Sequence, residues 1–199
     1  MHSGEIVALL GPSGAGKSTL LTSLGLIQAS DSGSITIGGK RVFDNDCQVN
    51  VRDFRRNNIG FVFQKANLLP FLTARENVRI AMEVNDCSAR ESKHYADELL
   101  KHFELDSRKH FLPSQLSGGQ QQREAIARAL ANRPSLLLAD KPAAALDSHL
   151  GRKVMELLKN IAHVHNTAVL VVMHDHRAID VFDRILVMED GKLSEKGAY

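Results

Sequence analysis

The chain has only two cysteines in 199 residues. Cys47 and Cys87 stand in no metal-ligand or redox spacing, which excludes a disulfide framework and suits a reducing compartment. Long apolar runs are also missing. The most sustained, such as Ala168 to Met173, are far below the roughly 20 residues that cross a bilayer, and the N-terminus lacks a charged-then-apolar leader pattern. The expected setting is therefore cytoplasmic, or peripheral on a membrane through another protein. No block of one charge sign exists: 25 Lys and Arg against 23 Asp and Glu leave a formal charge of +2 and a pI near 8.6. Without a basic face that could track a phosphate backbone, nucleic acid is not expected as a partner. Internal repeats and low-complexity segments are absent as well. What remains is a chain 43% hydrophobic and 24% charged, enough for one domain with a substantial core.

The most informative stretch runs Gly11-Pro12-Ser13-Gly14-Ala15-Gly16-Lys17-Ser18-Thr19. It follows the apolar run Ile6 to Leu10 and opens onto Leu20-Leu21-Thr22-Ser23-Leu24, the strand, glycine turn and helix start of a phosphate-binding loop. Glycines let successive backbone N–H groups converge on one anion, with the helix N-terminus behind them and the Lys17 ammonium reaching the β- and γ-phosphates. The Ser18 hydroxyl is then placed to ligate Mg²⁺.

Further along, Ser34 to Ile37 and Lys40 to Phe43 flank Gly38-Gly39 and predict a hairpin. Asp44 to Asn58 reads as polar and irregular before a short strand over Ile59 to Phe63 that ends at Gln64. From Thr73 to Phe103 the pattern is helical, with Ser88-Ala89-Arg90-Glu91 as a capping box and Tyr95, Leu99, Leu100 and Phe103 on one face. Leu116-Ser117-Gly118-Gly119-Gln120 leads into a helix to about Ala131. A strand over Ser135 to Ala139 ends at Asp140, Asp147 or Ser148 caps a helix to about His163, and His174 follows the strand Ala168 to Met173. Arg184 to Met188 and Lys192-Leu193 form a last hairpin through Asp190-Gly191. Strands alternating with helices predict an α/β fold, a mostly parallel sheet flanked by helices with ligands at the carboxyl ends of its strands. His163 with His165, and His174 with His176, read as surface residues rather than metal pairs.

In order and spacing, Gly11 to Thr19, Gln64, Leu116 to Gln120, Leu136 to Asp140, Ala145-Leu146-Asp147 and His174 resemble the Walker A, Q-loop, signature, Walker B, D-loop and H-loop of an ABC-transporter ATP-binding subunit. Phe71 to Val78, Ala144 to Ser148 and Met188 to Gly191 are similar to the exporter branch that includes DevA, MacB and LolD. The resemblance implies the ABC ATPase version of the P-loop NTPase fold as a single domain, residues 1–199. Its RecA-like core would span about 1–72 and 114–199, and a helical subdomain about 73–113. It implies ATP and Mg²⁺ as ligands, with Gly11, Pro12, Ser13, Gly14, Ala15, Gly16, Lys17, Ser18 and Thr19 at the phosphates. Ser18, Gln64 and Asp140 would serve the metal, and Gln64 and His174 the reaction. Ser117, Gly118, Gly119, Gln120 and Asp147 would meet nucleotide across a dimer seam with a second ATP-binding subunit. An integral-membrane permease, of an exporter of glycolipid or lipoprotein type, would place the chain on the cytoplasmic face of the membrane. A soluble ABC protein of DNA repair or translation is disfavoured, because no long coiled-coil insertion is present.

Two departures stand out. Where the family pattern has a glutamate that polarises the attacking water, this chain has Lys141, which predicts ATP binding with slow hydrolysis. A catalytically silent or decayed cassette is the alternative. The family also carries a strand pair before the position of Gly4, with an aromatic that stacks on adenine. Only Met1, His2 and Ser3 precede Gly4 here. A truncated copy with a lost sheet edge and weakened base affinity is expected, unless Phe43 or another ring substitutes.

Overall fold

The structure is a computed structural model and describes residues 1–144, 146–173 and 176–196, leaving aside the side chains of His176 and Arg177. Five strands are parallel: β1 (Ile6–Leu10), β4 (Ile59–Val62), β5 (Leu136–Asp140), β6 (Ala168–Val172) and β7 (Arg184–Glu189). β8 (Lys192–Lys196) pairs antiparallel to β7, giving the order β4-β5-β6-β1-β7-β8. β2 (Ser34–Ile37) and β3 (Lys40–Asp44) form a separate antiparallel hairpin. The mostly parallel sheet flanked by helices is the architecture the sequence predicts.

Successive side chains of a strand point to opposite faces, and here both faces are covered. Ile6, Ala8 and Leu10 of β1, Leu137 and Ala139 of β5, and Val169 and Val171 of β6 face one core cluster. It includes residues of α3 (Ala74–Glu83), α4 (Ala89–His102), α5 (Gly118–Leu130) and α6 (Ser148–His165). Val7, Leu9, Leu136, Leu138, Leu170 and Val172 face the other cluster, with residues of α1 (Lys17–Leu24), α2 (Val51–Asn58) and the hairpin. Burial on both sides is why the central strands are continuous apolar runs.

Three expectations need correction. Residues 51–58, expected to be irregular, form α2, because the Asn50 side chain accepts from the Asp53 N–H and Phe54 supplies a buried anchor. The helical stretch from Thr73 is two helices. It breaks after Val84, where Asp86 adopts φ 60° and Ser88 starts α4. The box at Ser88 is also incomplete. Its hydroxyl accepts from the Glu91 N–H at 3.3 Å but is itself what the Glu91 carboxylate binds, at 2.6 Å, rather than the Ser88 N–H. Reciprocal boxes form at Thr73 with Glu76 and at Ser117 with Gln120.

Candidate nucleotide site

After β1 the chain turns through Gly11 to Gly16 onto α1. A Cβ at Gly11 would lie 2.1 Å from the Met188 carbonyl oxygen of β7, so only glycine lets the loop run this close to the neighbouring strand. Gly16 is the N-cap of α1 in a left-handed conformation, φ 98°, with no side-chain cap. The other α-helices described are all capped by a side-chain oxygen, from Asn50, Thr73, Ser88, Ser117 and Asp147. The first N–H groups of a helix have no intrahelical partner, and at α1 they are left for an outside acceptor, with the positive end of the helix dipole behind them.

Lys17 folds back along this loop. Its ammonium donates to the carbonyl oxygens of Gly11 at 2.7 Å and Pro12 at 2.6 Å, and the residue is buried. Burial lowers its pKa, the charge of Lys141 lowers it further, and Asp140 acts in the opposite sense. Lys141 and Asp140 therefore act on the same ammonium. Pro12, Ser13 and Gly14 are exposed, Ala15 is packed inside, and Ser18 and Thr19 stand exposed on the first turn of α1.

Asp140 is the last residue of β5, and its Oδ1 is buried with no hydrogen-bond partner among the described residues. A buried carboxylate oxygen without a donor is costly. A hard divalent cation sharing oxygen ligands with Ser18 would satisfy it, so the residues present fit Mg²⁺. Next, Lys141 takes a left-handed conformation, φ 48°, while its N–H donates to Val172 at 2.9 Å and continues the β5–β6 ladder. It is half-buried and, with Asp147, Ser148, Met155 and Met173, lines a cavity of about 540 Å³.

Ser117 caps α5: its hydroxyl accepts from the Gln120 N–H at 3.3 Å, and the Gln120 amide oxygen accepts from the Ser117 N–H at 2.9 Å. Ser117 and Gly118 are exposed, whereas Gly119 is buried under Leu150 of α6, where a Cβ would sit 2.4 Å from Leu150 Cδ2. Asp147 caps α6 by accepting from the Leu150 N–H at 2.9 Å, and that backbone bond holds its carboxyl below the usual carboxylate range. Thus Gly11 to Thr19, Asp140 and Lys141 gather at one end of the sheet, Ser117 to Gln120 meet the Asp147 helix through Leu150, and Lys141 and Asp147 share a cavity. Gln64 is exposed, two residues beyond β4. His174 lies outside the described residues. Phe43 is buried in the hairpin and offers no free face for a base.

Sequence reasoning passed over four polar residues around Gln64. Gln122 of α5 donates to the Phe63 carbonyl at 3.3 Å, and Arg128 to those of Asn67 at 2.7 Å and Ala66 at 3.0 Å. Asn77 of α3, fully buried, donates to the carbonyls of Leu69, Leu72 and Thr73 and accepts from the Leu69 N–H. Glu124 is also fully buried, neither of its oxygens has a hydrogen-bond partner among the described residues, and burial pushes its pKa up to about 7. Polar residues on the apolar face of an otherwise regular helix are the signal that could have found them.

A phosphate loop after the first strand, a buried carboxylate at the end of β5 and a glycine-rich helix start capped by serine define an ATP-binding cassette. The ABC transporter family pattern matches residues 1–144, and the chain belongs to that family. It is 43% identical over 98% of its length to the uncharacterized ABC transporter ATP-binding protein MJ0796 of Methanocaldococcus jannaschii, covering 85% of that protein. A dimeric structure of MJ0796 in a post-hydrolysis state, bound to ADP and Pi, superposes with a TM-score of 0.84 at 41% identity, covering 99% of this chain and 88% of the other. The chain is also 42% identical, over its whole length and 84% of the relative, to the lipoprotein-releasing system ATP-binding protein LolD 2 of Chlorobium chlorochromatii. To the macrolide export ATP-binding/permease protein MacB of Mannheimia succiniciproducens it is 41% identical over 97% of this chain and 30% of the relative.

Proposed function

We propose that the chain is the ATP-binding subunit of a LolD- or MacB-type exporter, that it binds Mg-ATP between two cassettes, and that it hydrolyses ATP slowly. The observation that carries the reading is the cradle at α1: uncapped amides and the Lys17 ammonium stand beside Asp140, whose Oδ1 has no partner among the described residues. In this reading the amides of Gly14 to Thr19 and Lys17 bind the β- and γ-phosphates. Ser18, Asp140 and Gln64 would hold Mg²⁺, which when bound neutralises charge developing on the transferring phosphoryl group. Ser117 and Gly119 from a second cassette would close over the γ-phosphate, and Asp147 and His174 would lie at that seam. Residues 73–113 serve as the helical subdomain. The exposed loop with Leu69 and Phe71 offers an apolar surface to a permease, which would hold the chain on the cytoplasmic side of a membrane. No described helix is long and apolar enough to cross one itself.

Lys141 supports the slow-hydrolysis part of the reading. Its charge already acts on Lys17, and a lysine ammonium beside a triphosphate draws phosphate without serving as a base. Losing a positioned general base costs about 10²–10⁴-fold in rate. Phosphate release from Mg-ATP, measured for the native chain and Lys141→Glu in complex with the permease, tests this. The variant should turn over on the order of 10² times faster or more; equal rates in complexes that both bind ATP would refute it. A silent regulatory cassette is the second reading, which Lys141 also favours. It predicts no native turnover even when transport proceeds.

A further inference from the structure

We propose that Arg128 is a positioning residue. It ties the backbone beyond Gln64 to the signature helix, so that Gln64 at one nucleotide and Ser117 at the other move as one body. The inference rests on the reading of Gln64 and Ser117 given above, and adds to it the device that joins them. Gln64 itself is exposed. The chain on both sides of it is gripped instead. Gln122 holds the carbonyl just before, that of Phe63, and Arg128 holds the two carbonyls of Ala66 and Asn67 just after. A planar guanidinium with two N–H groups on adjacent carbonyls fixes orientation as well as distance, and such charge-assisted bonds are stronger than neutral ones. Asn67 adopts φ 46°, a left-handed turn that presents its carbonyl to the fork.

The grip originates on α5, whose N-cap is Ser117. Arg128 is eleven residues further along one unbroken helix, about 16 Å at 1.5 Å per residue. A rigid rod of that length therefore carries the signature serine at one end and the anchor of Gln64 toward the other. Beyond Asn67, the buried Asn77 straps residues 69–73 to α3, so the whole segment 63–73 is fastened by three side chains. Nucleotide engagement at Gln64 is thereby transmitted to α5 through Arg128.

Hydrogen–deuterium exchange on the full chain, with and without saturating Mg-ATP, tests this for the native protein, Arg128→Lys and Arg128→Gln, with ATP affinity followed by equilibrium dialysis. In the native chain, Mg-ATP should slow exchange in 63–69 and in 116–122 over the same nucleotide range. Arg128→Gln should bind ATP within about threefold of native, exchange at least tenfold faster in 63–69, and lose the response of that segment to Mg-ATP. Arg128→Lys keeps the charge and one bond, and should retain most of the response. A native-like nucleotide response in Arg128→Gln overturns the inference, as does a native chain whose two segments respond independently. If Arg128→Gln fails to fold, Gln122→Ala decides: about threefold faster exchange in 63–69 with a weakened nucleotide response supports the coupling, and an unchanged response overturns it. A native chain that binds no Mg-ATP in dialysis would overturn the nucleotide-site reading itself, and this inference with it.

Discussion

Replacing Glu124 with glutamine should stabilise the protein at pH 8 and do so much less at pH 5. Glu124 is fully buried, neither carboxylate oxygen is hydrogen-bonded among the described residues, and burial raises its pKa from 4.5 to about 7, with Arg128 opposing the rise. In the unfolded chain the same carboxyl titrates near its ordinary value, so between about pH 4.5 and 7 the folded state binds the extra proton. Stability then falls as pH rises through that window and levels off above it. At 1.36 kcal/mol per pH unit the full loss is roughly 3 kcal/mol. Glutamine keeps the shape and cannot ionise, so the difference in unfolding free energy between variant and native should grow from about 1 kcal/mol at pH 5 to roughly 3 kcal/mol at pH 8. Urea denaturation across pH 5 to 8, with equal m-values, measures it. A difference that stays flat with pH would refute the reasoning, because it would mean that the carboxyl is charged or neutral alike in both states.

Gly11→Ala should abolish ATP binding and cost roughly 3 kcal/mol or more, since its methyl would meet the Met188 backbone oxygen at 2.1 Å; native affinity by dialysis would contradict this. Asn77→Ala should destabilise by about 2 kcal/mol in thermal or urea melts, because it takes the hydrogen-bond partner from the part-buried Leu69 N–H and Leu72 carbonyl. Loss of under half that would show the loop to be held by other means. Phe71→Ser alters a residue 73% exposed, so the melting curve should stay within about 0.5 kcal/mol of native while co-purification with the permease is lost. Retained co-purification would move the docking surface elsewhere.

The phosphate loop, the signature and the Asp140 strand end were legible because glycines and sustained apolar runs leave few alternatives for the backbone. The helix α2 was not. Its eight residues Val-Arg-Asp-Phe-Arg-Arg-Asn-Asn offer two apolar positions, too few to establish a helical period, and only Asn50 with Asp53 and the basic last turn mark its ends. The interruption between α3 and α4 hid for the opposite reason, since apolar residues continue in helical spacing across Val84 and only Asp86 in a left-handed conformation breaks them. Within the candidate site, motif spacing singled out the residues proposed to face nucleotide. It gave no hint of Gln122, Arg128 and Asn77, which bind backbone carbonyls and so leave no pairing pattern in the side-chain sequence. Lys141 was visible as a departure, while its influence on Lys17 emerges only when the fold brings the end of β5 to the start of α1.

The missing side-chain cap on α1 makes this helix the least finished piece of the fold, and its completion depends on the metabolic state around it. A triphosphate that occupies those amides acts as the cap the sequence omits. At a concentration one hundred times its dissociation constant, a ligand that binds only the folded chain adds about 2.7 kcal/mol to the unfolding free energy. The folded fraction, and with it resistance to proteolysis, then rises and falls with the supply of nucleotide. A cassette that turned over little ATP would still report the energy charge of its surroundings through its own persistence.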